Sequence, residues 1–226
     1  MFNKKIKLPA FTLSELLIAI GIVGIIAAMS IPSLMENLNK RLLSAQIKNF
    51  IGNIQQLAND QLTIKQSRNL ADTDFDDVEK LLSDKNFQIA KTCKNGTAQS
   101  ECWKVGKTVG TGDNAVYIST YKFLDGANAS PDERLTIILK NGAIISYKKE
   151  SGDLSDGDSL FGYFDVDVNG NDKPNKIGRD FYSFRITKKG RIMGTKNADG
   201  TAAKCKSNDA LSCIDLLLNS NWVMEY

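Results

Sequence analysis

The sequence predicts an α+β protein: a long N-terminal helix, membrane-spanning in its first half and amphipathic in its second, packed on an antiparallel β-sheet. Three observations lead there. The run "FTLSELLIAIGIVGIIAAMSI", residues 11–31, carries a single charge and as a helix would rise ~31 Å, about the hydrocarbon thickness of a bilayer. Beyond Pro32, the apolar residues Leu43, Ile47, Phe50, Ile54 and Leu57 recur every three or four positions, which is one stripe of an amphipathic helix. From about residue 114 the chain turns to short β-rich runs, and in "RLTIILKNGAIISYKK" the pair Asn141–Gly142 between two apolar stretches signals a hairpin.

Composition narrows the function. With 42% hydrophobic and 24% charged residues, the chain is ordinary globular material once its N-terminus is set aside. The net charge of +3 equals the three lysines of the first ten residues, Lys4, Lys5 and Lys7. The remainder is neutral, so no nucleic-acid partner is expected. Histidine is absent, which removes Ser-His-Asp, Cys-His and His-bearing zinc chemistry. No nucleophile motif or phosphate-binding loop stands out, and the chain is not expected to be an enzyme.

The N-terminal run has two plain explanations, a cleaved secretory signal with "AAMS" at 27–30 as its cleavage site, or a simple signal anchor. Neither accounts for Glu15. A carboxylate inside a span costs on the order of 2.5–3.5 kcal/mol and calls for a cation. The basic leader keeps the extreme N-terminus cytoplasmic and sends the rest of the chain across the membrane.

A basic leader, a small residue and then "FTLSELLIAIGIVGIIAAMSIP" closely resemble the N-terminal signature of type IV pilins and type II secretion pseudopilins. The resemblance covers about 25 residues and implies a pilin-like fold. It further implies cleavage between Ala10 and Phe11 by a prepilin peptidase, methylation of the Phe11 amine, and retention of the apolar segment. In the family the glutamate pairs with the amino terminus of a neighbouring subunit, so Glu15 becomes the assembly residue. Alanine at position 10 departs from the family's usual glycine, and Ser14 stands where an aliphatic residue is commoner. The implied organisation is a leader over 1–10, a membrane and filament-core helix over 11–31, its amphipathic continuation over 32–62, and a globular head over 63–226. Self-association with related pilin subunits, the peptidase, the bacterial inner membrane and an assembly platform are the implied partners. The head is then expected in the periplasm, and the assembled chain in a pseudopilus or an extracellular pilus.

Along the rest of the chain, Pro32 is an expected kink and Gly52 a tolerated weak point. Thr73 or Asp74 is expected to cap a short helix over "FDDVEKLL". The runs "AVYISTYKF", "GYFDVDV", "FYSFRIT" and "RIMGT" read as further strands. Cys93 and Cys102, then Cys205 and Cys213, are an even set that suits disulfides in an oxidising compartment. Three connectivities are open, with the two sequence-local bridges the simplest. Zinc bound by all four thiolates is the competing arrangement, but the eight and seven intervening residues exceed the usual ligand spacing.

In the loop "DVDVNGNDKPNKIGRD", Asp165, Asp167 and Asn169 alternate oxygen-bearing side chains before Gly170, as in the first half of an EF-hand. Lys176 stands where the bidentate glutamate should be, so a true EF-hand is excluded. Asp172 or Asp180 could complete a calcium shell from a different loop, and the family resemblance adds weight because some members carry calcium in C-terminal loops. Ordinary turn chemistry is the alternative. After Cys213, "IDLLLNSNWVMEY" is expected to close the domain, with Trp222 and Tyr226 in a final strand. The rival to a filament subunit is a signal-anchored or secreted periplasmic binding domain or enzyme.

Overall fold

The computed structural model describes residues 12–77, 87–93, 101–104, 108–109, 116–117, 121–122, 124, 128–129, 135–194, 205 and 210–224. The protein is of the α+β class, with a long apolar N-terminal helix and an antiparallel sheet. The chain divides into two compact units, residues 1–40 and 41–226. Helix α1, Leu13–Ile64, runs through the boundary and through Pro32 without interruption, ending slightly beyond residue 62.

In the first unit α1 exposes nearly every apolar side chain it carries, Leu17, Ile18, Val23 and Ile25 among them. Its most apolar 18-residue window has mean hydropathy 2.3 and none of it is buried. Among the described residues this is the one helix long and apolar enough to cross a membrane, as an anchor or a signal sequence.

In the second unit the expected stripe lies inward: Leu43, Ile47, Phe50, Ile54 and Leu57 are all buried. It covers one face of a six-stranded sheet ordered β1-β6-β7-β8-β9-β10, antiparallel at every pairing. These strands are β1 (Ile89–Cys93), β6 (Leu135–Leu139), β7 (Ile144–Asp153), β8 (Ser159–Asp167), β9 (Phe181–Thr187) and β10 (Ile192–Met193). Five of them, β6 to β10, form a meander, and β1 adds at the edge beside β6. The Asn141–Gly142 turn joins β6 to β7, and Gly142 adopts φ +90, the left-handed conformation that such turns demand.

Because side chains alternate across a sheet, the register sorts its two faces. Tyr147, Phe164 and Phe184 are partners across three strands and face α1 as an aromatic row, with ring centroids 4.9 and 5.1 Å apart and Phe50 6.2 Å from Phe184. Next to them Gly162 leaves room for Tyr147, since a Cβ there would lie 2.3 Å from Cε2 of that ring.

One expectation is corrected, the final strand at Trp222, and two others are met in the part that is described. The described residues of "AVYISTYKF" are strands, as expected, and pair outside the main sheet: β3 (Val116–Tyr117) pairs with β2 (Thr108–Val109), and β4 (Tyr121–Lys122) pairs with β5 (Asn128–Ala129), each in a separate two-stranded ribbon. Residues Ala210–Asn219, for which no element was expected, form a helix, α2, because Cys213, Ile214 and Leu217 bury one helical face. Trp222 follows in a turn with φ +68, and Tyr226 lies outside the described residues. The expected cap at Thr73 is present: it accepts the Phe75 N–H at 3.2 Å at the start of a 3-10 turn over Asp74–Asp76, and the rest of "FDDVEKLL" beyond Asp77 lies outside the described residues.

Candidate functional site

Two places carry chemistry, the start of α1 and the loop between β8 and β9. At the first, Ala10 and Phe11 lie outside the described residues. Thr12 is the N-cap of α1, and its carbonyl accepts the Leu16 N–H at 3.1 Å. Its hydroxyl oxygen accepts the Glu15 N–H at 3.3 Å, while the Glu15 carboxylate accepts the Thr12 N–H at 2.8 Å and the Thr12 hydroxyl at 2.7 Å. This reciprocal exchange is a capping box, in which the N3 acid satisfies a backbone donor that the helix leaves orphaned. Sequence reasoning missed it, although the T-x-x-E pattern of "TLSE" is its signal.

At the second place the oxygen-bearing side chains are spread over several partners. Asp165 and Asp167, two apart on β8, both lie buried on the sheet face away from α1. The register lines Thr136, Ser146, Asp165 and Ser183 across four strands as a polar row, and the Ser183 hydroxyl donates to Asp165. Tyr121 donates its hydroxyl to Asp167 Oδ2, and the Asn169 N–H reaches Oδ1 at 3.1 Å. Asn169 donates its side-chain amide to the Lys173 carbonyl at 3.0 Å. Asp180 is fully buried and accepts the Asn175 and Lys176 N–H groups at 2.6 and 2.7 Å, which pins the loop's own turn. Asp172 is exposed.

Burial dominates the electrostatics here. It pushes the Asp180 carboxyl up to about 6 against the pull of its backbone donors. Asp167 is raised well above the carboxylate range, first by burial and then by the nearby charge of Asp180. Tyr121 is likewise raised, by burial and then by Asp167. Among the described residues no three acidic or thiol side chains gather as a metal-binding group.

What the loop does hold is the segment that covers the polar row. The indole N–H of Trp103 donates to the Ser146 and Thr136 hydroxyl oxygens at 2.9 and 3.2 Å. Asn171 clamps the backbone on both sides of that tryptophan, accepting the Lys104 N–H at 2.8 Å and donating to the Cys102 carbonyl at 3.2 Å. Cys102 is bonded to Cys93 at the end of β1, so a disulfide, an amide clamp and an indole hydrogen bond all fix one residue. Trp103 also packs against Tyr121 and Phe181 at 5.9 and 5.7 Å. The second disulfide joins Cys205 to Cys213 on α2, and no described cysteine is free.

No protein-family model matches the chain, and neither a curated protein nor a solved structure matches it.

Proposed function

We propose that the chain is a structural subunit of a type IV pilus or type II secretion pseudopilus, made as a membrane-inserted precursor and assembled through α1. One observation carries this reading: the apolar start of a 52-residue helix is exposed on all sides and holds a single acidic residue, Glu15, in its first turn. A surface that apolar needs lipid or other helices around it. In this scheme prepilin peptidase cuts between Ala10 and Phe11, the Phe11 amine is methylated, and Glu15 pairs with the amine of a neighbouring copy. The head is then periplasmic and performs no catalysis. The intact mass and N-terminal sequence of the protein from its native membrane test the scheme. A chain beginning at Phe11 with one added methyl, about 14 Da, supports it. A chain beginning near Ile31 sinks it.

A signal-anchored or secreted periplasmic domain is the second reading, and the capping box favours it, because Thr12 gives Glu15 a partner within its own chain. It expects an uncleaved Ala10–Phe11 bond and a monomer. Calcium in the 165–180 loop is a separate proposal, resting on the two buried carboxylates Asp167 and Asp180, whose charges a cation would neutralise.

A further inference from the structure

We infer that the cleft between α1 and the β6–β7 turn is a binding site for the acetamido group of an N-acetylated sugar. The cleft is about 170 Å³, the scale of one sugar ring, and no ionisable side chain lines it. A neutral ligand follows. Three carboxamides, Gln46, Asn49 and Asn53, enter it from one face of α1 at the three- and four-residue spacing of adjacent turns. All three are exposed, and among the described residues none of these side chains makes a hydrogen bond. Asparagine is a poor helix former, so placing it twice in mid-helix disfavours the fold locally with no contact inside the chain to offset it.

Opposite them stands Asn141, whose Oδ1 is already taken by the Ala143 N–H at 3.1 Å, leaving its NH2 as a donor. Each free carboxamide offers both a donor and an acceptor, the complement of the N–H and C=O of an acetamide. The remaining lining is apolar, with Phe50, Phe87, Leu139 and Ala143 available to the acetyl methyl. A neutral, amide-rich and partly aromatic pocket separates an acetamido sugar from a plain one, because a sugar lacking the amide leaves the site's polar groups unpaired. The site lies wholly within residues 41–226, and the inference does not rest on filament assembly.

The test is calorimetric titration of the full chain, held in a phosphocholine detergent free of sugar, with triacetylchitotriose and with cellotriose, the same β-linked backbone lacking acetamides. Binding of chitotriose with Kd of about 0.1–1 mM, and at least about tenfold weaker binding of cellotriose, is the expected result. Asn53→Leu and the near-isosteric Asn49→Asp should each weaken chitotriose about tenfold. Lys48→Ala, on the same helix but outside the cleft, should leave it unchanged. Unaltered Trp103 fluorescence would show the variants folded. Absence of binding up to about 10 mM, equal affinity for the two trisaccharides, or indifference to both cleft variants would each overturn the assignment.

Discussion

The Glu15 carboxylate accepts both the backbone N–H and the hydroxyl of Thr12, at 2.8 and 2.7 Å, so the acid at the start of the apolar helix is partnered within its own chain. A neighbour's amine would therefore compete with, or add to, an existing pair of hydrogen bonds. The two roles separate by mutation. Glu15→Ala should insert and be cleaved, yet fall about tenfold or more in filament incorporation, since it loses a charge pair in a dry environment. Thr12→Ala should cost the helix start about 1 kcal/mol and leave incorporation largely intact. Equal defects in a pull-down of assembled filaments would mean that capping, and not assembly, is what Glu15 supplies.

Trp103 offers a second handle. Replacing Asn171 by alanine removes the acceptor for the Lys104 N–H and the donor to the Cys102 carbonyl, and should cost about 1–3 kcal/mol in a denaturant melt. The tryptophan emission should shift to the red before global unfolding. An unchanged midpoint would show that the disulfide and the indole hydrogen bonds hold the segment unaided.

Two glycine substitutions should move stability in opposite directions. Gly162→Ala drives a methyl into the Tyr147 ring and should cost about 1–3 kcal/mol, because Phe164 blocks the ring's retreat. Around Gly52 of α1 a Cβ meets nothing, so Gly52→Ala should stabilise the isolated chain by up to about 1 kcal/mol. Thermal melts of both decide the matter. A Gly52→Ala variant that is stable but assembly-deficient would place another chain against that turn of the helix.

The buried carboxylates give a pH dependence with a definite sign. Asp180 rises from its ordinary 3.8 to about 6 on folding, so between those values the folded state holds more protons than the unfolded one. Its stabilising contribution is full below about pH 4 and is lost as pH rises through 6, roughly 3 kcal/mol at most. In chelator, Asp180→Asn should flatten this part of the pH–stability curve. Calcium at millimolar level should raise the melting temperature above pH 6 if the loop takes the ion, and an unchanged melt there would remove calcium from the account.

Much of the architecture was legible because its signals are local. The stripe from Leu43 to Leu57 repeats at helical spacing, and Asn141–Gly142 dictates its own turn. Elsewhere local pattern and tertiary context part company. "IDLLL" fits either period over so short a run, and only the burial of Cys213, Ile214 and Leu217 on one side decides for helix. The β-prone "AVYISTYKF" forms short ribbon strands away from the main sheet, whose edge beside β6 is already taken by β1. The alternating oxygens of the acidic loop suit a cation and protein donors alike, and no local pattern shows that Tyr121 and the Asn175 and Lys176 N–H groups reach them. Nothing local announces that Asn171 reaches back to the flanks of Trp103, since that pairing joins residues 67 and 69 positions apart. The capping box is readable from the four letters "TLSE", but those letters lie at the edge of the apolar span, where a carboxylate reads first as an intramembrane charge.

The Asn171 clamp also sets an order of events. Ribosomes deliver Trp103 first, and the residues that receive its indole and its flanking peptide arrive later, the last of them being Asn171, roughly 68 residues downstream. At ordinary synthesis rates that is a wait of about 3–14 s, during which the tryptophan beside the Cys102 thiol has no berth. Cys102 must therefore find Cys93 either early, across the eight residues between them, or late, once β8 and β9 have assembled the surface that aligns them. A chaperone or thiol oxidoreductase acting on the nascent chain would meet it in that interval.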